Sequence, residues 1–515
     1  MKFAFTQDRT WIPFGLAVCF FASVPNAFSQ TAGTDDEIRE LALRDCIDLA
    51  LEHNLNLQIE RVNVEIAEND LNGSLSLYQP NFNFNFQDTS TTTEGSFNVD
   101  LGVQNANSVF EGNNFSAGFN SQLPMGLRIS NLGVTWRENQ TSVNPINILD
   151  YTTRVGIDLQ QPLLRNFWID GARANIKINR RRVENAGLGL RLQIMNIVAS
   201  VERAYYDLIA AKRNVEVQEQ ALELARELLT QNQKRVELGT MAKLEESQAR
   251  SQVASREADL LNATNAFENQ QNVLKNLITD RFQEWANVNL IPSESLLQIP
   301  GEFDLQESWT NALERRPDLI QLQVNLSIND IQLRLAKNQL FPELNLIGGY
   351  SRRGQDGRLG ITGDLGRAFG DIEAARNPSH YYGVVLNVPL GFMQERNNYR
   401  SAMAAKAQSK LRVKQFEQNI LVEVDNLVRL ARTNFERVEA RRQARLFAKE
   451  ALEAEEKKYS NGISTSFIVL DLQNQFTAAQ FAEAQALAAY NRTLADLALS
   501  EGTILQRNQI NLEFE

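Results

Sequence analysis

Tyr382-Gly383-Val384-Val385-Leu386-Asn387-Val388-Pro389 is an alternating apolar run closed by a proline, and no other proline follows to residue 515. Beyond Gly391, glycine occurs only at 462 and 502. Helix interiors exclude both residues, at about 1 kcal/mol for Gly and about 3 kcal/mol for Pro. The run therefore reads as a strand that feeds one very long helix, about 393–461. That helix breaks at Gly462 and a second follows, about 466–501.

The same order occurs earlier. Thr153-Arg154-Val155-Gly156-Ile157-Asp158-Leu159-Gln160-Gln161-Pro162 is strand-like, the next proline is Pro292, and Gly239 supplies the break. Pro162 to Gly239 spans 77 residues and Pro389 to Gly462 spans 73. Ala50-Leu51-Glu52 matches Ala312-Leu313-Glu314, and Tyr78-Gln79-Pro80 matches Leu340-Phe341-Pro342, both at an offset of 262. The chain is a tandem duplication of helix, strand, long loop, strand, very long helix, Gly break, helix.

The long helices, about 166–238 and 393–461, would each reach roughly 100–110 Å at about 1.5 Å per residue. No globular core buries helices of that length, so they belong to an elongated bundle or coiled coil. Shorter helices are expected at about 42–78, 243–279, 305–341 and 466–501, two of which end to end match one long helix. Ile194, Val198, Val201, Tyr205, Leu208 and Val215, extended by Leu222, Ala225 and Leu229, form an apolar seam at spacings near 3 and 4.

The strands alternate at period two. Asn81-Phe82-Asn83-Phe84-Asn85-Phe86-Gln87 sets phenylalanine on one face and amide on the other. Such a pattern fits a half-buried sheet or a lipid-facing barrel strand with a wet lumen. Phe115 to Phe119 and Arg128 to Trp136, around Pro124-Met125-Gly126, read as an extra hairpin, giving four strands in the first half and two in the second. Four to six strands cannot close a membrane barrel alone, and an open edge in lipid leaves N–H and C=O groups unpaired. The barrel must be shared between copies. A cyclic trimer gives 12 strands with two per half, or 18 with the extra hairpin in the wall.

Residues 1–29 read as a secretory leader: Lys2 and Arg9, an apolar stretch from Trp11 to Val24, then Ala27-Phe28-Ser29. No later segment reaches 18 uninterrupted apolar residues. Lys+Arg 52 against Asp+Glu 63 gives a net charge of −11, which argues against a nucleic-acid partner. Two histidines and two cysteines leave little for metal or Cys/His chemistry. Cys46, among Leu43, Ile47, Ala50 and Leu51, reads as a small buried hydrophobe.

Together these features resemble the outer membrane efflux proteins of the TolC type. The resemblance covers essentially the whole chain after the leader. It rests on the duplicated element order, the strand–helix junctions at Pro80, Pro162, Pro342 and Pro389, and the second hairpin tip, Tyr459-Ser460-Asn461-Gly462-Ile463-Ser464-Thr465-Ser466-Phe467-Ile468-Val469-Leu470-Asp471. It implies a fold that is mostly α with membrane β: a homotrimer with a shared 12-stranded outer-membrane barrel and a long coiled-coil helical barrel in the periplasm. It further implies a periplasmic adaptor (membrane fusion) protein and an inner-membrane transporter of RND, ABC or MFS type as partners, in efflux or type I secretion. An exported coiled-coil scaffold without channel activity is the alternative.

The resemblance also places a periplasmic gate at the tip. Asp471 occupies the second of two acidic positions, Ile468 replaces the first, Ser464 replaces a latch arginine, and Tyr459 matches a latch aromatic. Adaptor docking is expected at Gly239, Thr240, Gly462 and Ile463. The expected organisation is leader 1–29, first repeat 30–280, inter-repeat or equatorial segment 281–304, second repeat 305–501 and C-terminal tail 502–515. His53 and His380 stand alone, and Glu245-Glu246 reads as helix-face solvation. Gly354, Gly357, Gly360, Gly363 and Gly366 read as a flexible loop between two barrel strands. No catalytic, metal or cofactor residues are expected.

Overall fold

The computed structural model describes residues 38–95, 97–98, 102–104, 107–143, 146–298, 300–301, 303–357 and 363–510. The expected leader and Gly360 lie outside these. The first half runs β1 (Ile38–Leu41), α1 (Leu43–His53), α2 (Leu55–Leu75), β2 (Asn81–Thr93), β3 (Ser108–Gln122), β4 (Arg128–Val143), β5 (Ile146–Pro162), α3 (Gly171–Glu237) and α4 (Lys243–Ile278). After β6 (Asn289–Pro292) come α5 (Leu305–Arg315), α6 (Pro317–Asn338), β7 (Glu343–Asp356), α7 (Leu365–Glu373), β8 (Pro378–Asn387), α8 (Met393–Ser460) and α9 (Ser466–Ser500).

The long helices are α3, 67 residues, and α8, 68 residues. Each extends about 100 Å. The apolar seam of α3 is buried at Ile194, Val198, Val201, Tyr205, Leu208, Leu222 and Ala225, against α4, α2 and α9. Cys46 is fully buried in the same core, and burial pushes its thiol up to about 12. Near the middle of α3 the segment before α1 is tied to the segment between the two halves: β1 pairs in parallel with β6, and the Tyr205 hydroxyl donates to the Leu41 carbonyl at 3.0 Å.

Two of the expected helices are broken. The 42–78 segment divides at Asn54, whose buried side chain accepts from the Asn56 and Leu57 amides and donates to the Leu277 carbonyl at 2.9 Å. It ends as an α-helix at Leu75, with a single 3₁₀ turn over Ser76–Tyr78 before the strand. The 305–341 segment divides at Arg316, held extended at ψ 119° because Pro317 opens the next helix. The first long helix begins at Gly171, not near 166: Asn166 adopts φ +66° and Asp170 caps the helix by accepting from the Arg173 amide at 2.7 Å.

Among the described residues one six-stranded sheet forms, in the order β8-β7-β5-β4-β3-β2, antiparallel at every step. The hairpin β3–β4 lies between β2 and β5, so the first half supplies four strands and the second two. Twelve strands from three copies would need four per chain, and this sheet holds six. The cause is in the residues: β3 and β4 alternate as regularly as their neighbours and bond along nearly their full length. The expected flexible glycine loop is also corrected. It contains α7, and Gly354 lies in β7, where a Cβ would fall 1.8 Å from the Ala368 carbonyl oxygen. Glycine there lets the helix rest on the sheet, and Thr153, fully buried, donates to that same carbonyl at 2.9 Å.

The two faces of the sheet differ. Phe82, Phe84 and Phe86 are 59%, 63% and 56% exposed on one face, and Phe86, Phe115 and Trp136 share a register row there. Val155, Leu159, Tyr382, Val384 and Leu386 continue that face across β5 and β8. The other face is mostly polar, with Asn85, Ser116, Thr135 and Arg154 in one register row. So large an apolar surface requires an apolar solvent. Phe86→Arg should reduce insertion into the outer membrane by about 2–4 kcal/mol equivalent, whereas Asn85→Arg, one residue away on the other face, should insert normally. Comparing membrane-fraction yields of the two variants checks this, and equal yields would contradict the facing.

Candidate functional site: two helix tips and a polar barrel face

The helices leave the sheet through the prolines. Pro162 ends β5, and Leu163 N–H then donates to the Leu344 carbonyl at 2.7 Å. Asn166 N–H donates to the Asn338 side chain at 2.7 Å, and Arg165 donates to Gln339 at 2.6 Å. The structure thus brings the Pro162 and Pro342 junctions side by side. Pro80 precedes β2 directly, and Pro389 follows β8 two residues after its end.

The other ends of α3 and α8 close by one mechanism. Gly239 at φ +73° has its N–H on the Val236 carbonyl (3.0 Å), and Thr240 N–H reaches the Arg235 carbonyl (2.9 Å). Gly462 at φ +77° repeats this, onto Tyr459 (3.0 Å), with Ile463 N–H on Lys458 (2.9 Å). Both are Schellman caps, which need a left-handed residue that glycine alone supplies without a Cβ penalty.

The two tips touch. Tyr459 is buried between the hairpins, its hydroxyl donating to the Asn232 side-chain oxygen. The Arg235 guanidinium lies 4.3 Å over its ring and donates to its carbonyl at 3.1 Å. Burial raises the Tyr459 hydroxyl above its ordinary value, so it remains a donor at neutral pH. Leu228, Leu452, Tyr459 and Val469 form the small core beneath. Ser466 donates to Glu245 at 3.2 Å, a second link between the hairpins.

Ser464 donates to Glu455, which also pairs with Lys458 at 2.9 Å. Asp471 is exposed and accepts from Gln475 at 2.7 Å, one turn on. Ile468 lies 44% exposed, beside Ile463 and Phe467, both more exposed still, and Leu238 and Leu244 extend the apolar tip surface. Sequence reasoning missed Asn232, Arg235, Leu238 and Leu244. Arg235, three residues before the cap, was the one polar signal in reach.

The polar face of the sheet carries its own network. Asp158 accepts from the Tyr381 hydroxyl at 3.0 Å and from Asn131 at 2.8 Å, and pairs with Arg154 at 3.5 Å. One register row on this face, Asn83–Gly118–Gly133–Gly156–Ser351–Ser379, crosses all six strands with small or amide side chains. No three His, Cys, Asp or Glu residues gather to hold a metal among the described residues.

A sheet with an apolar and a polar face, joined through prolines to helices about 100 Å long, defines a membrane β-barrel protein with a helical extension. The family model described as outer membrane efflux protein matches residues 130–279 and 309–503, one stretch in each repeat. The chain belongs to the outer membrane efflux protein family, and it is an outer-membrane protein with a periplasmic extension. The structure is similar to the Campylobacter jejuni CmeC outer membrane channel, with 16% identity, 90% of this chain and 86% of that one covered, and a TM-score of 0.65. It is similar to VceC of Vibrio cholerae, with 17% identity, coverage of 89% and 96%, and a TM-score of 0.63. The open state of the Neisseria gonorrhoeae MtrE outer membrane channel follows, with 17% identity, coverage of 90% and 89%, and a TM-score of 0.61. No curated protein matches the chain at the sequence level.

Two outcomes are expected at the tips. Tyr459→Phe strands the buried Asn232 oxygen, a loss of about 1–3 kcal/mol. It should speed amide exchange in both hairpins together, and exchange confined to one hairpin would argue against the link. The Glu455 carboxyl is lowered by its bonds to Lys458 and Ser464. Its contribution is therefore complete above the ordinary glutamate value and disappears as the pH falls through the depressed one. The protection factor at 461–465, with exchange corrected for its intrinsic base catalysis, should fall on acidification in the wild type and stay constant over that window in Glu455→Gln.

Proposed function

We propose that the protein is the passive exit duct of a tripartite efflux or type I secretion system, a homotrimer that neither catalyses a reaction nor binds a cofactor. A periplasmic adaptor docks on its tips, and an inner-membrane transporter of RND, ABC or MFS type supplies the energy. The observation that carries this is positional. The Gly239 and Gly462 tips are held together at the end of the helices farthest from the sheet, and they expose Leu238, Leu244, Ile463 and Phe467. An apolar surface there, rimmed by charge, suits a partner protein rather than solvent.

Within this reading 30–280 and 305–501 are the two repeats, 281–304 is the inter-repeat or equatorial segment, 502–515 the tail and 1–29 the leader. Three copies would gather three Asp471 carboxylates at the periplasmic mouth and favour cations there. Ile468 in place of a second acid makes that ring single.

The purified protein should need detergent, and should raise the conductance of a planar bilayer. A water-soluble molecule that does neither would leave the scaffold reading instead. Gly239→Val with Gly462→Val puts a β-branched residue at φ near +75°, at a cost of about 1–2 kcal/mol at each cap. The open space around both glycines leaves packing intact. The double variant should assemble normally yet lose adaptor capture and export, and normal export would count against docking at these turns.

A further inference from the structure

We propose that three copies of this chain close an 18-stranded barrel, so that the outer-membrane pore is about half as wide again as a twelve-stranded one. The inference rests on the trimer reading above and adds the composition of the wall.

The hairpin β3–β4 is part of the wall by every local criterion. β2 pairs with β3 from Asn81 to Thr93, β3 with β4 from Ser108 to Gln122, and β4 with β5 from Arg128 to Val143. No described strand pairs β2 directly with β5. The apolar band runs through the hairpin without a gap: Phe84, Ala117, Val134 and Val155 share one register row, and Phe86, Phe115 and Trp136 the row above. Phe115 stacks on Trp136 with ring centroids 5.6 Å apart, so the hairpin carries its share of the outward surface. Its opposite face continues the polar side through Ser116, Gly118 and Thr135.

The free edges are β2 and β8. Five antiparallel steps separate them, so β8 runs opposite to β2. Rotation about an axis along the pore preserves strand direction, and the β8 edge of one copy therefore meets the β2 edge of the next in antiparallel sense. The occupant of each edge is a second copy of this chain. Its unpaired N–H and C=O groups have no other partner in hydrocarbon. With strands about 4.8 Å apart and tilted about 40°, 18 strands give a backbone diameter of roughly 36 Å, against roughly 24 Å for 12.

Electron cryomicroscopy of the detergent-purified protein tests both levels. Three copies around 18 strands is the expected result. Three copies around 12 strands, with β3–β4 outside the wall, would overturn this inference and leave the trimer intact, whereas any other copy number would overturn both. A second test removes residues 97–143, which lets β2 meet β5 with its direction unchanged. The limiting radius for neutral polymers entering from the extracellular side should then fall by about one third, and an unchanged radius counts against the proposal. If that variant does not insert, cysteine pairs in the full chain decide. Asn85→Cys with Ser116→Cys should cross-link within one chain. Asn85→Cys with Arg154→Cys, three strand spacings apart, should not, and a bond there would overturn the assignment.

Discussion

A strand edge in hydrocarbon has no water to satisfy it. Each unpaired N–H or C=O costs several kcal/mol, and neither a side chain nor a loop can meet that demand along a whole strand. The sheet of this chain has two such edges, at β2 and β8. Everything in its construction is compatible with joining them to copies of itself. Strand direction alternates throughout, Phe82, Phe84 and Phe86 share one face with Val155 and Leu159 of β5 and Val384 and Leu386 of β8, and the helices leave from one side only. On the proposed reading the bilayer therefore constrains the assembly as much as any interface between the helices does.

The helices answer a different constraint. A helix of 67 or 68 residues has far more surface than its own amphipathic stripe can hide. The shorter helices cover it in segments: α2 and α6 beside the half of α3 nearest the sheet, α4 and α9 beside the half nearest the tips. The break at Asn54 falls beside the core that holds Leu290 of β6, and the break at Arg316-Pro317 falls beside the end of α9, where Arg316 donates to the Ser500 carbonyl. A straight covering helix would continue past these points; a capped interruption lets the direction change without leaving buried amides unpaired.

Much of this was legible before any coordinates. Prolines are excluded from helix interiors and glycines are needed at left-handed caps, so the absence of one and the isolation of the other outlined α3, α8 and both tips. The Phe/Asn alternation of 81–87 gave the facing of β2 for the same kind of reason, a period imposed by the backbone. What escaped was of two kinds. Pro317 was a visible signal for a helix start, overridden by matching lengths between the repeats, and Asn54 acts through a capping bond that composition does not reveal. The Arg235–Tyr459–Asn232 contact joins residues more than 220 positions apart, and no local pattern announces a pairing of that range. The hairpin β3–β4 was visible as strands, but whether it lay in the wall depended on hydrogen bonds to β2 and β5.

The two repeats keep matching helices but not matching sheets, since the additional hairpin belongs to the first alone. Had the ancestral unit remained a separate gene product, any insertion would have been repeated at every station of the assembly. Fusion of two units into one polypeptide removes that coupling. One half is free to acquire new length while its twin preserves the older design, and the width of the sheet becomes adjustable without disturbing the helix tips at the opposite end.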